Sequence, residues 1–223
     1  MYKSSIPIIA IDGPSASGKG TVAQLVAQTL GFHYLDSGAL YRIVAFAAQL
    51  NNIDWSDANA VAECANTLNI QFEASEVLLN NQDISQDIRT EVMSKGASQV
   101  AVHAAVRNSL TELQRSFCKL PGLVADGRDM GTVVFKQAQL KIFLTASTEI
   151  RAERRYKQLL DKNQPANYQN ILKDLTERDA RDKNRASAPL LMAVDAILLE
   201  THNMNIQDAV SFILQHFNSK VAE

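Results

Sequence analysis

The sequence predicts an α/β fold in which helices flank a parallel sheet, and three observations support this prediction. Short, almost continuous apolar runs, typical of strands buried on both faces, alternate with segments that carry an apolar stripe at helical spacing. Apolar residues make up 46% of the 223 residues, which is enough for a substantial core. A glycine-rich turn joins the first apolar run to the first helical segment, as in many strand–loop–helix units.

The positions of the strands and helices follow from the spacing of the apolar side chains. Buried strands are predicted at residues 6–11, 123–126, 141–144 and 193–199. Helices are predicted at residues 21–30, 39–50, 100–118 and about 206–217, and Gly31 closes the first of them. A charged helical region covers residues 148–185 and is interrupted near Pro165.

Residues 60–96 break this alternation. Residues 69–73 alternate between apolar and polar side chains, and so, less regularly, do residues 76–84, where Asn80-Asn81 favours a turn. This pattern predicts a small inserted α+β subdomain with an antiparallel sheet. The predicted core consists of residues 1–59 and 97–223, and the inserted subdomain of residues 60–96.

Net charge, the cysteines and the first apolar run each argue against a class of function or location. The formal net charge of -2 argues against a protein that binds long nucleic acids, because such proteins are usually basic. Cys64 and Cys118 have neither metal-site nor redox spacing, so we expect ordinary thiols. The first apolar run is too short for a signal peptide or a membrane helix, so we expect a cytoplasmic protein with no membrane partner.

The glycine-rich turn, GPSASGKGT at residues 13–21, has the G-x-x-x-x-G-K spacing of a phosphate-binding loop. Backbone N–H groups and the helix N-terminus converge on phosphate oxygens in such a loop, and Lys19 adds a positive charge. The common pattern has Ser or Thr after the lysine, whereas here Gly20 precedes the hydroxyl of Thr21. The order Gly-Lys-Gly-Thr resembles the nucleoside monophosphate kinases, in which many members have glycine in place of Ala16. We therefore expect the backbone at Ala16 to be accommodated without a positive φ.

Two further stretches place charged side chains at helix and strand ends. Asp36 or Ser37 can cap the helix that follows, and Arg42 lies about one turn inside it. Asp126-Gly127-Arg128-Asp129 lies at the carboxyl end of the strand predicted at residues 123–126, at the sheet edge where α/β folds bind ligands. Each stretch taken alone is also consistent with an ordinary cap or a polar turn.

The charged helical region carries two stripes of cationic side chains. One face combines Arg178, Arg181, Asp182 and Arg185, and an upstream face combines Arg151, Arg154 and Arg155. Arginines on one face repel each other unless anions lie between them. The pattern favours phosphate binding, although a solvated charged face remains the alternative.

Together these stretches resemble bacterial members of the cytidylate kinase family. The resemblance is carried, in order along nearly the whole chain, by GPSASGKGT, LDSGALYR, ASQVA with Val106-Arg107, ADGRDMGTVVF, KIFLTAS, and RDARDKNR followed by Ala-Pro-Leu. It implies a P-loop NTPase-type parallel sheet flanked by helices, the inserted α+β subdomain on the monophosphate side, and a helical lid at about residues 148–170. It also implies that a monomer transfers the γ-phosphoryl of ATP to CMP or dCMP with Mg²⁺, and binds no nucleic acid.

The resemblance also assigns roles to residues. ATP phosphates are expected at Gly13, Pro14, Ser15, Ala16, Ser17, Gly18, Lys19, Gly20 and Thr21. The acceptor phosphate is expected at Ser37, Arg42, Arg128 and Arg185, the cytosine at Ser98, Arg107 and Asp129, and the ribose at Arg178 and Asp182. Lys19, Arg128 and Arg185 are the expected catalytic residues, and Arg151, Arg154 and Arg155 are expected in the lid. No metal site made by protein side chains is expected.

The chemistry of cytosine agrees with these assignments. Cytosine donates from its N4 amino group and accepts at N3 and O2, which suits Asp129 and Ser98 as acceptors and Arg107 as a donor. Uracil reverses the polarity at two of these positions, so a carboxylate facing its O4 would be left unpaired. The acceptor phosphate is already anionic, so no general base is needed and none of the four histidines is expected to be catalytic.

Three alternatives remain open from the sequence. One is a P-loop kinase for another small acceptor, for which Asp36 is the only visible base. Another is a nucleotide-dependent switch, which would not need arginines converging from several segments. An RNA-binding protein that uses residues 148–185 is the third, and it lacks a platform of aromatic side chains for stacking bases.

Overall fold

The computed structural model describes residues 6–73, 76–161 and 163–221. The chain divides into two compact units, Met1–Leu35 with Phe117–Glu223 and Asp36–Ser116. The described strands, in chain order, are β1 (Ile8–Asp12), β2 (His33–Asp36), β3 (Ile70–Glu73), β4 (Glu76–Leu79), β5 (Gln82–Asp83), β6 (Leu123–Gly127), β7 (Leu140–Thr145) and β8 (Ile197–Glu200). The described α-helices are α1 (Lys19–Leu30), α2 (Ser37–Leu50), α3 (Ala58–Asn66), α4 (Glu91–Val100), α5 (Ala104–Ser116), α6 (Thr148–Asp161), α7 (Tyr168–Asn184) and α8 (Ile206–Val221).

The first unit is built on a five-stranded sheet with the strand order β2-β6-β1-β7-β8. The central strand β1 pairs in parallel with β6 and with β7, so that Ile11 lies opposite both Asp126 and Ile142. All five residues of β1 are buried, as expected for a strand covered on both faces. Apolar side chains of α1 and α8 pack onto the core of this sheet. The predicted α/β fold with a parallel sheet is therefore confirmed.

The edge strand β2 escapes prediction from the sequence. This strand has only four residues, His-Tyr-Leu-Asp, which are mostly polar, and only Leu35 is buried. The last predicted strand also begins later than expected, at Ile197, because residues 193–196 form a turn in which Ala196 N donates to Ala193 O at 3.0 Å.

The second unit combines helices with a three-stranded antiparallel sheet of the order β3-β4-β5. Ile70 lies opposite Leu79, and the turn to β5 uses Asn80 and Asn81, which have φ values of 52° and 66°. Asparagine tolerates this left-handed region better than most residues, so the predicted turn is confirmed. The unit contains residues 60–96, and the division of the chain into a kinase core and an inserted subdomain stays a prediction.

The helix predicted at residues 100–118 is present as α5, but it begins four residues later, at Ala104. A break of three residues separates it from α4, which ends at Val100 and was not predicted. Between them, Val102 N and His103 N donate to the carbonyls of Gln99 and Val100. The ring of His103 makes a hydrogen bond of 2.8 Å to Trp55 O, a contact 48 residues away that no local pattern reveals.

Candidate active site

The phosphate-binding loop joins the buried strand β1 to helix α1. Gly18 is the N-cap of α1 and has a φ of 91°. Gly13 lies so close to the neighbouring strand that an added Cβ would be 2.0 Å from Leu144 O, which leaves room for glycine alone. Lys19 is buried, and its Nζ donates to Pro14 O at 3.2 Å, across the loop. The strand, the loop and the helix N-terminus thus have the arrangement that binds phosphate oxygens.

The expectation that Ala16 avoids a positive φ is wrong. Its φ is 57°, in the left-handed region that alanine rarely adopts. The carbonyls of the two neighbouring residues, Ser15 and Ser17, each accept a hydrogen bond from an arginine of α6. These bonds hold the loop just before and just after Ala16.

Asp12, the last residue of β1, connects the strand that carries the loop to the turn after Asp129. One carboxylate oxygen accepts from Met130 N and the other from Gly131 N, both at 2.8 Å. Burial raises the pKa of Asp12 to about 6, and the nearby charge of Asp129 acts in the same direction, while the two N–H groups and Lys19 oppose the rise. Asp12 therefore anchors the π-helical turn Met130–Val134, directly after the predicted site residues Arg128 and Asp129.

Asp126, at the end of β6, lies beside the beginning of α1. Its Oδ2 accepts a hydrogen bond of 2.5 Å from the Tyr34 hydroxyl. A Cβ added to Gly20 would lie 3.6 Å from both of these oxygens. The carboxylate of Asp126 is a hard oxygen ligand of the kind that Mg²⁺ prefers, as is the hydroxyl of Thr21, the residue after Gly20.

Arg128 links the phosphate-binding loop to helix α7. It donates from Nη2 to Ser15 Oγ at 2.7 Å and from Nε to Asp182 Oδ2 at 2.9 Å. Burial alone would raise the pKa of Asp182, but the charges of Arg128, Arg178 and Arg185 outweigh it and hold this pKa below its usual value. The structure thus brings Arg128, Arg178, Asp182 and Arg185 into one electrostatic cluster.

Arg185 joins this cluster from the C-terminal end of α7. It is 8% exposed, and its Nη2 lies 3.9 Å from Asp129 Oδ1. Its Nε donates to Ala188 O at 2.7 Å, and Ala188 has a φ of 48°. The tight turn after α7 therefore orients the Arg185 guanidinium towards Asp129.

The three predicted lid arginines differ in their surroundings. Arg151 is buried and donates to Ser15 O, Ala146 O and Thr148 Oγ1, and it pairs with Asp179. Arg154 donates to Ser17 O and to Thr201. Arg155 instead donates to Gln158 on the same helix at 2.6 Å. The structure therefore brings two of the three to the phosphate-binding loop.

The second unit carries the remaining predicted acceptor residues. Asp36 caps α2, since its Oδ1 accepts from Ala39 N at 2.9 Å, and its Oδ2 lies 2.7 Å from Arg42 Nη2. Ser37 is buried at the start of the same helix. Asp36 thus fixes Arg42 one turn further along α2.

The two predicted base-reading residues of this unit are both buried, with Ser98 on α4 and Arg107 on α5. The Arg107 guanidinium lies over the ring of Tyr41, 5.4 Å from its centroid, and donates to Ala101 O at 3.1 Å. The aromatic ring and the carbonyl hold the guanidinium in one orientation.

Among the residues that the structure describes, no three His, Cys, Asp or Glu side chains are grouped so that they could hold a metal ion. Within the same described ranges, no helix combines the length and the apolar character needed to cross a membrane. Each of the four histidine rings makes a hydrogen bond to a backbone group.

Comparison with known proteins gives one consistent family. The family model for cytidylate kinase matches residues 9–219. Cytidylate kinase from Cupriavidus pinatubonensis is 55% identical over 212 residues, which cover 95% of this chain and 96% of that protein. Cytidylate kinase from Polynucleobacter asymbioticus is 52% identical over 219 residues, which cover 98% of this chain and 100% of that protein.

A solved structure agrees with the fold. The crystal structure of an uncharacterized protein from Eubacterium ventriosum superposes with a TM-score of 0.53 at 11% identity, covering 96% of this chain and 99% of that one. This likeness concerns the fold alone, whereas the matches in sequence extend over nearly the full length of the chain. The resemblance seen in the sequence is confirmed, and the chain belongs to the cytidylate kinase family.

Proposed function

We propose that the protein transfers the γ-phosphoryl of ATP to CMP or dCMP, giving ADP and CDP or dCDP. The observation that carries the proposal is the bridge made by Arg128 between Ser15 of the phosphate-binding loop and Asp182 of α7. This bridge places a guanidinium beside the loop, where charge develops on a transferring phosphoryl group. A loop that only held a nucleotide would not need it.

The donor is held by the loop at residues 13–21. Backbone N–H groups and the N-terminus of α1 bind its phosphates, and Lys19 supplies a positive charge near the β- and γ-phosphates. Arg128 and Arg185 stabilise the three oxygens of the phosphoryl group as it moves. The acceptor phosphate attacks as an anion, so the reaction needs no side chain that removes a proton.

The acceptor is read through its base, its sugar and its phosphate. Asp129 and Ser98 accept from the N4 amino group of cytosine, and Arg107 donates to its N3 or O2. Arg178 and Asp182 hold the ribose. Ser37 and Arg42 bind the acceptor phosphate together with Arg128 and Arg185.

Mg²⁺ fits the residues beside the loop. Thr21 and Asp126 offer a hydroxyl and a carboxylate, and an ion that keeps several waters and phosphate oxygens as ligands needs few from the protein. The ion would neutralise charge on the β- and γ-phosphates. The protein's own residues position both nucleotides and exclude water from the transferring group. We also propose that the protein works as a monomer in the cytoplasm, where both nucleotides are available.

The test follows ADP release from Mg-ATP with CMP, dCMP, UMP, AMP or no acceptor. We expect turnover with the two cytosine nucleotides to exceed turnover with UMP and AMP by at least about a hundredfold, because a mispaired buried carboxylate costs a few kcal/mol. ADP release that does not depend on the acceptor would favour the nucleotide-dependent switch. Preference for an acceptor without cytosine would favour a kinase for another substrate.

A further inference from the structure

Two arginines of α6 hold the outer side of the phosphate-binding loop. Arg151 donates from Nη1 to Ser15 O at 3.0 Å, and Arg154 donates from Nη1 to Ser17 O at 3.3 Å. They lie three residues apart on one helix face, and they bond to alternate carbonyls of the loop. Ala16, the residue between Ser15 and Ser17, has the left-handed φ of 57°.

This conformation is unfavourable for alanine. A left-handed residue other than glycine persists only where the surrounding structure fixes it. In a loop that binds phosphate, the N–H groups must point inward, so the carbonyls must point outward. The carbonyls of Ser15 and Ser17 each accept from a guanidinium of α6, and these bonds hold the loop on both sides of Ala16.

The two guanidinium groups are themselves fixed by other elements. Arg151 is 3% exposed and also donates to Ala146 O and Thr148 Oγ1, while Asp179 of α7 neutralises it. Arg154 also donates from Nη1 to Thr201 Oγ1, just after β8, at 3.1 Å. The N–H groups of both side chains are therefore hydrogen-bonded to protein atoms. This arrangement stabilises the loop and does not suit direct binding of a transferring phosphoryl group.

We propose that Arg151 and Arg154 are positioning residues that hold the phosphate-binding loop in its anion-binding conformation, and that they compensate for alanine at position 16. This inference rests on the proposed function only in that the loop binds the phosphates of a nucleotide. It replaces the expectation that the guanidinium groups of these two arginines bind phosphate themselves.

A double-mutant cycle between residues 16 and 154 tests the proposal. Binding of Mg-ADP is measured by titration calorimetry for the wild type, Arg154→Met, Ala16→Gly and the double variant. Without the arginine, alanine at position 16 leaves the left-handed conformation, and only a minor fraction of the molecules has a loop that can bind phosphate. Glycine at position 16 adopts the left-handed conformation readily, so the loop needs the arginine less. We expect Arg154→Met to weaken binding about fivefold or more in the wild-type background, and about twofold or less in the Ala16→Gly background.

Controls separate this effect from a general loss of structure. Lys157→Met changes an exposed cation of the same helix and should leave Mg-ADP binding unchanged. Melting temperatures of all variants show whether they are folded, and Arg154→Lys, which keeps the charge but loses the fork of donors, replaces Arg154→Met if the latter does not fold. Arg154→Lys should show the same dependence on residue 16.

The outcomes are distinct. A smaller loss of Mg-ADP affinity in the Ala16→Gly background supports the proposal, because residue 16 affects nucleotide binding only through the conformation of the loop. An equal or larger loss in that background would mean that Arg154 acts on the nucleotide directly, and no loss in either background would mean that it has no role in binding; both overturn the proposal. Since no acceptor is present, failure of the CMP kinase assay would not alter this result.

Discussion

The buried carboxylate of Asp12 should make the free energy of unfolding depend on pH. In the substitution Asp12→Asn the negative charge is removed, while the side chain keeps its size and one acceptor oxygen. In the wild type, two oxygens accept from Met130 N and Gly131 N. The absolute change in the free energy of unfolding therefore combines a lost acceptor with a lost buried charge, and the pH dependence isolates the charge.

The magnitude follows from the pKa. Burial raises the pKa of Asp12 from 3.8 to about 6, and at 1.36 kcal/mol per pKa unit the ionised form costs about 3 kcal/mol at neutral pH. The folded state binds the proton more tightly than the unfolded state, so the contribution of Asp12 to stability is complete below pH 3.8 and is lost as pH rises through about 6. Between pH 7.5 and pH 5, the wild type should regain about half of that penalty, roughly 1.5 kcal/mol.

The assay is urea unfolding of the wild type and Asp12→Asn at several pH values from 5 to 7.5. Other carboxyl groups titrate in both proteins, so the difference between the two free energies of unfolding reports Asp12. We expect this difference to shift in favour of the wild type as pH falls. A difference that stays constant over this range, or one that shifts in favour of Asp12→Asn, would show that folding does not raise the pKa of Asp12.

Three further changes test other parts of the site. Lys19→Met should lower kcat by about a hundredfold or more, because a positive charge beside the phosphates is lost, and a kcat within threefold of the wild type would contradict that role. Asp129→Asn should lower the ratio of kcat/KM for CMP over that for UMP by at least about tenfold, and an unchanged ratio would remove Asp129 from base recognition. Gly131→Ala should lower the free energy of unfolding by about 1–3 kcal/mol, because the added Cβ would lie 3.1 Å from Cδ of Lys141, whose side chain is buried and held by an ion pair with Asp195. Equal melting temperatures for the glycine and alanine proteins would show that the structure adapts without cost.

Features that depend on local sequence could be predicted, and the loop at residues 13–21 is the clearest case. Its glycines, its lysine, the strand before it and the helix after it all lie within about 25 residues of one another. The cap by Asp36 and the turn at Asn80-Asn81 are local in the same way, because each depends on one residue and its immediate neighbours.

Features that depend on distant contacts could not be predicted. Asp12 is 118 residues away from Met130, and nothing near Asp12 in the sequence indicates that its carboxylate caps a π-helical turn. The left-handed backbone of Ala16 depends on arginines that lie more than 130 residues further along the chain. The break between α4 and α5 contains neither glycine nor proline, and its His103 contacts Trp55.

The fate of the γ-phosphoryl group shows whether the protein is a kinase for cytosine nucleotides. ATP labelled at the γ-phosphate is incubated with the protein, Mg²⁺ and CMP, and the products are separated by ion exchange. We expect the label to appear in CDP, with little in inorganic phosphate, and we expect the replacement of CMP by UMP to lower the transfer by at least about a hundredfold. Label found only in inorganic phosphate, or transferred equally well to UMP, would contradict the proposed function.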